Sequence, residues 1–368
     1  MTGWLGRAVR RLAPTPRART RPRGLVVVGT VWRGGDDVPA PGRVTLDGAG
    51  RVVTIALDRP GTPAPRGDLR VVEVAWVGPA PADAHVHLRG SDELERLHRA
   101  GLAGVRDVGG VLAHPTNSVG DDVVVVPLSA RATDAALATR VRRLAAGGIR
   151  AVTVDLAAGP VDAARVARAA HDAGLAVLAA APTAELVGRA LDVGVDELLR
   201  VPGERIGEAL LERLVDSGIA VTSTLQAYFS AGTGRDAAAT AAALVRAGVP
   251  LRYGTDHGGT PPGGGRAAHV PAGVDPRELD RLADAGLGRL GALRAATDGL
   301  AGAAGWSGHR GRLVVGERAD LVGLAADPLV EPLAWRTPRL VVVGGRTLVA
   351  APADPGLPAR PGRPVRTG

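Results

Sequence analysis

Five stretches decide the fold: AAGGIRAVTV (residues 145–154), DAGLAVLAAA (172–181), DVGVDELLRV (192–201), DSGIAVTSTL (216–225) and RAGVPLRYGTD (246–256). Each runs from the end of a helical pattern through a glycine into a short apolar or β-branched strand. Gly148, Gly174, Gly194, Gly218 and Gly248 mark the successive helix ends, where a residue free to take the left-handed conformation turns the chain into the next strand. These glycines recur every 20–30 residues, the length of a compact strand plus its crossover helix. Patterns rich in Ala, Leu and Arg over 135–145, 161–173, 208–215 and 237–246 predict the covering helices.

Upstream, DAHVHL (83–88), GVRDVGG (104–110) and DDVVVVPL (121–128) read as three earlier strands, which makes eight units between Pro81 and Ala304. The fold class is α/β, and eight units in that span match a (β/α)8 TIM-like barrel. An open doubly wound sheet is the alternative, but no glycine-rich phosphate fingerprint follows the first strand. The flanks have a different texture. LVVVGTVW (25–32), RVTLDG (43–48) and RVVTIAL (51–57) on one side, and RLVVGERADLVGLA (312–325) and RLVVVGGRTLV (339–349) on the other, read as short strands broken by Gly and Asp. They predict a small antiparallel sheet, forming a β-sandwich domain built from both chain ends. The expected organisation is a disordered Arg-rich tail (1–23), an N-terminal sandwich segment (24–80), the barrel (81–304), a C-terminal sandwich segment (305–350) and a disordered Pro-rich tail (351–368).

Composition removes several kinds of chemistry. Cysteine is absent, so disulfides, thiolate nucleophiles and Cys-ligated metals are excluded together, and a metal must sit on histidine and carboxylate. The basic residues are all arginine; without lysine there is no Schiff base, P-loop lysine or carboxylated lysine. The net charge of +8 is located in the tails: seven arginines precede Gly24 with no acid among them. A nearly neutral body, in a chain with only eight aromatic residues, offers no phosphate-tracking groove or stacking platform, so the expected partner is a small-molecule substrate and not nucleic acid. A weak membrane-surface or anionic-partner arm is the alternative reading of the N-terminal tail. No apolar run spans a bilayer, which predicts a cytoplasmic protein without stable membrane insertion; a homo-oligomer is left open.

Barrel active sites lie at the C-terminal ends of the strands. On the first strand His85 and His87, two apart, leave from one face, and two neutral imidazoles there can bind one divalent cation. On the eighth strand RYGTDHGG (252–259) places Asp256 at the matching end. A closed barrel makes these strands neighbours, so three residues remote in sequence converge.

Here the sequence resembles the amidohydrolase superfamily, in particular its imidazolonepropionase-like and prolidase-like branch. ADAHVHL (82–88) resembles the first-strand Asp-x-His-x-His, GVRDVGG the second strand, AGVPLRYGTDHGG (247–259) the eighth-strand Gly-Thr-Asp, and LRAATDGLAGAAGWSGHRGRLVVGERADLVGLAADPL (293–329) the return from barrel to sandwich. The resemblance implies hydrolysis of an amide, imide or ester by a metal-activated water. It makes His85 and His87 metal ligands, and Asp256 a ligand or the base that orients the water. The departures are equally specific: Thr153 stands where many relatives have a carboxylated lysine, and Ala180 and Arg200 stand where histidines are usual. A two-metal centre with a bridging carbamate is therefore excluded.

What remains is one divalent metal, zinc foremost, with iron or manganese as alternatives. Asp155, two residues beyond Thr153, is a candidate fourth ligand; the competing reading is a cap on the following helix or turn. Arg200 is a candidate for holding a substrate carboxylate or polarising a carbonyl, against a structural pairing with an acid such as Glu197. His257 and His269 flank the glycine-rich stretch and are candidates for substrate contact, against ordinary loop histidines. The expected activity is hydrolysis of a carbon–nitrogen bond, other than a peptide bond, in a small amide or cyclic amide. The alternative is a decayed barrel acting as a binding or scaffold protein.

Overall fold

The computed structural model of the chain describes residues 24–57, 69–109, 122–128, 133–260, 270, 272–300, 302–303, 306 and 311–351. Both terminal tails, and His269, lie outside the described residues, apart from Ala351. The chain first lays down β1 (Gly24–Val31), β2 (Ala40–Asp47), β3 (Val52–Leu57) and β4 (Arg70–Pro79). It then enters eight strands: β5 (Ala82–Val86), β6 (Gly104–Asp107), β7 (Val123–Leu128), β8 (Ala151–Val154), β9 (Ala176–Ala179), β10 (Glu197–Leu198), β11 (Ala220–Thr222) and β12 (Leu251–Arg252). It returns as β13 (Leu321–Leu324), β14 (Leu340–Val343) and β15 (Arg346–Ala350).

β5 to β12 pair in sequence order, all in parallel. The barrel closes between its first and last strands. Ala84 donates to the Tyr253 carbonyl at 3.1 Å, Asp256 to that of His85 at 2.9 Å, and His87 to that of His257 at 2.7 Å. The helices α1 (Ser91–Arg99), α2 (Asp134–Ala146), α3 (Pro160–Asp172), α4 (Ala184–Val193), α5 (Glu208–Ser217), α6 (Leu225–Ser230), α7 (Gly234–Ala247), α8 (Pro276–Leu282) and α9 (Gly288–Ala295) accompany it. Four of them coincide within a few residues with the helical patterns read above, and the five helix-ending glycines all have positive φ, between 67° and 87°. Buried Val166, Ala170, Val187, Leu214 and Leu244 from these helices meet Val152, Val177, Leu198 and Val221 on the outward face of the strands.

The flanking strands form one seven-stranded sheet in the order β15-β14-β13-β4-β1-β2-β3, so both chain ends do contribute to one β domain. The sheet curls until Val44, Leu46 and Val52 share a core with Leu321, Leu340 and Val342 from the other wing. Its central strand, β4, is one that the sequence pattern does not mark out. β4 pairs in parallel with β1 and antiparallel with β13, so the sheet is mixed and not purely antiparallel. Trp76, Val341 and Val343 face the barrel side and join the core of α1 residues Leu94 and Leu97. Among the described residues, no helix is long and apolar enough to cross a membrane.

Candidate metal centre at the barrel mouth

β5 carries His85 to its C-terminal end, with His87 just beyond it, and β12 runs into Asp256. Two backbone features fix this junction. Asp256 has a left-handed backbone, φ 60°, which aspartate tolerates better than most residues. Gly259 packs so closely that a β-carbon there would lie 2.1 Å from Asp256 Oδ1 and 2.6 Å from the His87 ring. The DHGG stretch therefore needs its last glycine so that the carboxylate and the imidazole can share one space. Asp83, in the same strand as the histidines, accepts the Thr255 hydroxyl at 2.6 Å and the Thr255 N–H at 3.1 Å, which ties the first strand to the Gly-Thr-Asp turn. Asp107 accepts the Leu88 N–H at 3.2 Å and the Gly109 N–H at 2.9 Å, which holds the turn after His87.

The three donors converge. His85 Nε2 and His87 Nε2 are 3.2 Å apart, and Asp256 Oδ1 lies 3.4 Å from the first and 3.2 Å from the second. Ligands around a tetrahedral ion at about 2.0–2.1 Å stand about 3.3–3.4 Å from one another, so these atoms outline one face of such a polyhedron. Proton placement supports the fit. His85 Nδ1 sits 2.8 Å from the Leu199 carbonyl, which accepts only if Nδ1 carries the proton. Burial pushes His85 down to about 4, so the ring is neutral near pH 7 and Nε2 presents a lone pair to two other electron-rich atoms. A cation among them satisfies all three. Burial by itself would raise Asp256, but the Arg200 guanidinium donating to its Oδ1 favours the ionised form, and the carboxyl is held below its usual range.

Arg200, just past β10, reaches the same carboxylate: Nη2 donates to Asp256 Oδ1 at 2.8 Å. The expected structural alternative, a pairing with Glu197, does not form. Arg200 lies past the end of the strand and turns to the mouth, whereas Glu197 lies within β10 and points into the barrel interior. There it accepts from Arg106 on β6, Arg252 on β12 and the Thr222 hydroxyl on β11. Sequence reasoning missed this network. Its signal was a charged residue inside a short buried strand, Arg106 in β6 and Glu197 in β10.

Asp155 is not a member of the metal group. It is exposed and caps the short turn at 156–158, accepting the Ala157 N–H at 2.9 Å. His257 is also committed within the chain: Nδ1 lies 3.1 Å from the Val270 carbonyl and Nε2 3.0 Å from Glu93 Oε1. Its place is to lock the loop after β12 onto α1. Thr153, Ala180 and Arg200, the three departures, all border one cavity of about 350 Å³ that opens beside His85 and His87.

No family model matches the chain, and no curated protein matches it in sequence. Solved structures do match in shape. A Xaa-Pro dipeptidase with methionine bound in its active site superposes at TM-score 0.72 and 15% identity, covering 89% of this chain and 100% of its own. Molinate hydrolase matches at TM-score 0.68 and 17% identity over 95% and 99%, and phenylurea hydrolase B at 0.69 and 17% over 88% and 96%. A structure described simply as an amidohydrolase matches at 0.68 and 18% over 89% and 99%. The fold is that of the amidohydrolases. With the amidohydrolase fold in place, the first-strand histidines and the eighth-strand aspartate fall together as the sequence resemblance implied, and His85, His87 and Asp256 form a group that can hold a metal ion.

Proposed function

We propose that the chain is a hydrolase of a carbon–nitrogen bond in a small amide or cyclic amide, working with one divalent cation held by His85, His87 and Asp256. The observation that carries this reading is the triangle of donor atoms at 3.2–3.4 Å with the His85 tautomer set by the Leu199 carbonyl. A divalent cation, zinc by this donor set, supplies Lewis acidity toward a water and a carbonyl oxygen.

The chain's own residues supply the rest. His85, buried and neutral, keeps its lone pair aimed at the centre. Asp256 stays ionised and is the group positioned to take a proton from water and return it to the leaving nitrogen. Water oxygen bonds to the acyl carbon, the carbon–nitrogen bond breaks, and the nitrogen leaves with the proton as a free amine. Arg200 keeps Asp256 oriented. Thr153 and Ala180 offer no second set of ligands, so the chemistry is that of a single ion.

The test is amine release from a panel of small amides and cyclic amides by the purified chain. Turnover that stops with a chelator, returns with zinc, and is absent in His87→Ala supports the reading. Retention of full turnover in His87→Ala contradicts it, and a panel with no turnover and no metal uptake leaves the barrel as a binding protein.

A further inference from the structure

The two histidines of the triangle are held by different means. His85 lies within β5, buried, and its ring is fixed by the Leu199 carbonyl. His87 lies one residue past the strand and is half-buried, and among the described residues its Nδ1 has no partner. Its ring direction is therefore inherited from its backbone. That backbone is tied across the barrel closure by its N–H, which donates to the His257 carbonyl at 2.7 Å. β12 has ended by then, at Arg252, so His257 sits outside the regular ladder and is held through its ring. Nε2 lies 3.0 Å from Glu93 Oε1, and Nδ1 3.1 Å from the Val270 carbonyl. The other Glu93 oxygen accepts the Arg89 N–H at 2.8 Å. One carboxylate thus joins the residue after Asp256 to the residue two past His87. The Glu93 and His257 side chains are each only 12% exposed, so their bond is shielded from competing water.

We propose that Glu93 is a positioning residue for the metal group: through His257 it holds His87 opposite Asp256. This rests on the metal-centre reading for what the triangle holds. Helix capping accounts for one Glu93 oxygen, since Gly90 offers α1 no side-chain cap and a first-turn glutamate that reaches back to a free N–H supplies one. It does not account for the other oxygen, which binds a residue 164 positions further along the chain. The clasp acts on one donor of the three. Asp256 is fixed to His85 independently, by its N–H on the His85 carbonyl at 2.9 Å, and its Oδ1 receives Arg200. Releasing Glu93 therefore frees His87 from a pair that stays in place, and the triangle opens along its His87 Nε2–Asp256 Oδ1 edge, 3.2 Å in the closed state.

The experiment compares the full chain with Glu93→Ala and His257→Leu. The first loses clasp and cap together; the second loses the clasp and leaves Glu93 on Arg89. Amide hydrogen exchange of the metal-free proteins, resolved at Arg89, His87 and Asp256, is read beside zinc affinity by competition with a chromogenic chelator. In both variants the His87 amide is expected to exchange at least about tenfold faster while that of Asp256 holds its rate, and Arg89 loses protection only in Glu93→Ala. Zinc affinity is expected to fall about tenfold or more in both, and in the double variant no further than in the weaker single one. Circular dichroism verifies the fold, and His257→Leu alone carries the test if Glu93→Ala does not fold. An unchanged His87 rate in His257→Leu, or an effect confined to Arg89 in Glu93→Ala, overturns the proposal and leaves Glu93 as a cap. The two readings separate: a native chain that takes up no zinc but shows the His87 response keeps the clasp and removes the metal centre. A chain that binds zinc equally well in all forms does the reverse.

Discussion

Two arginine–carboxylate clusters lie within the same barrel, one in its interior and one at its mouth, and they differ in what their atoms have left over. In the interior, Glu197 receives Arg106, Arg252 and the Thr222 hydroxyl, and Arg106 Nε donates to the Ala84 carbonyl at 2.8 Å. Both Glu197 oxygens are engaged, and the side chains of Arg106 and Glu197 have no exposed area. At the mouth, three candidate ligand atoms face one another and Arg200 Nη1 has no partner. The interior cluster fills its carboxylate and joins four strands, β6, β10, β11 and β12, leaving one buried donor, Arg252 Nε, without a partner. The mouth cluster is incomplete as it stands and beside a cavity. A carboxylate filled by donors from its own strands marks structure, and two histidines and a carboxylate that converge at the strand ends mark a candidate ion site.

The comparison breaks most readily at Glu197. Glu197→Ala leaves two arginines buried without their carboxylate and is expected to cost about 3–5 kcal/mol of folding stability. His87→Ala, by contrast, is expected to change stability by less than about 1 kcal/mol. Urea unfolding of the two variants measures both, and a severe loss in His87→Ala with a mild one in Glu197→Ala would reverse the assignment of roles. Next in size is Gly259→Ala. Its methyl group collides with Asp256 Oδ1 and the His87 ring, and divalent-ion affinity is expected to fall by about 10–100-fold while the fold persists. Competition against a chromogenic chelator reads this directly.

A pH profile sharpens the comparison further, because two buried carboxylates shift in opposite directions. Burial pushes Glu197 up, but Arg106, Arg252 and Thr222 outweigh it and bring it to about 2, so its contribution is present above about 4.5 and is lost as pH falls toward 2. Glu278 has no arginine partner among the described residues. It accepts the Leu225 and Gln226 N–H groups at the start of α6, yet burial raises it to about 7. Between its ordinary 4.5 and 7 the folded chain holds a proton that the unfolded chain has released, so stability falls as pH rises through that window. Thermal unfolding against pH should show this slope in the native chain and a flatter one in Glu278→Gln. The smallest effect is expected at Asp155: Asp155→Ala removes a cap, costs about 0.5–2 kcal/mol and leaves metal uptake unchanged. A loss of metal in that variant would return Asp155 to the ligand set.

The barrel was legible because its signals are local and repeated. A glycine after each helix and a β-branched run after each glycine are dictated by backbone sterics, and they survive any change of side-chain partner. The convergence of His85, His87 and Asp256 was legible from closure of the barrel, which makes the first and last strands neighbours. What escaped was pairing. In a chain whose 45 Lys and Arg residues are all arginine, no single arginine announces its acid, and what separates Arg200 from Glu197 is that one lies past the end of β10 and the other within it. Asp155 and His257 have the residue types of ligands, but a backbone N–H two residues on and a glutamate on α1 claim them first. The strand β4 was passed over although its pairing with β1 and β13 is what joins the two chain ends into one sheet.

The most direct test of the central claim is elemental analysis of the purified chain beside the His85→Ala/His87→Ala double variant. The account predicts close to one divalent ion per chain, zinc foremost, absent from a variant that still unfolds cooperatively. A chain that takes up no ion after reconstitution, or a double variant that keeps it, would contradict the single-metal centre.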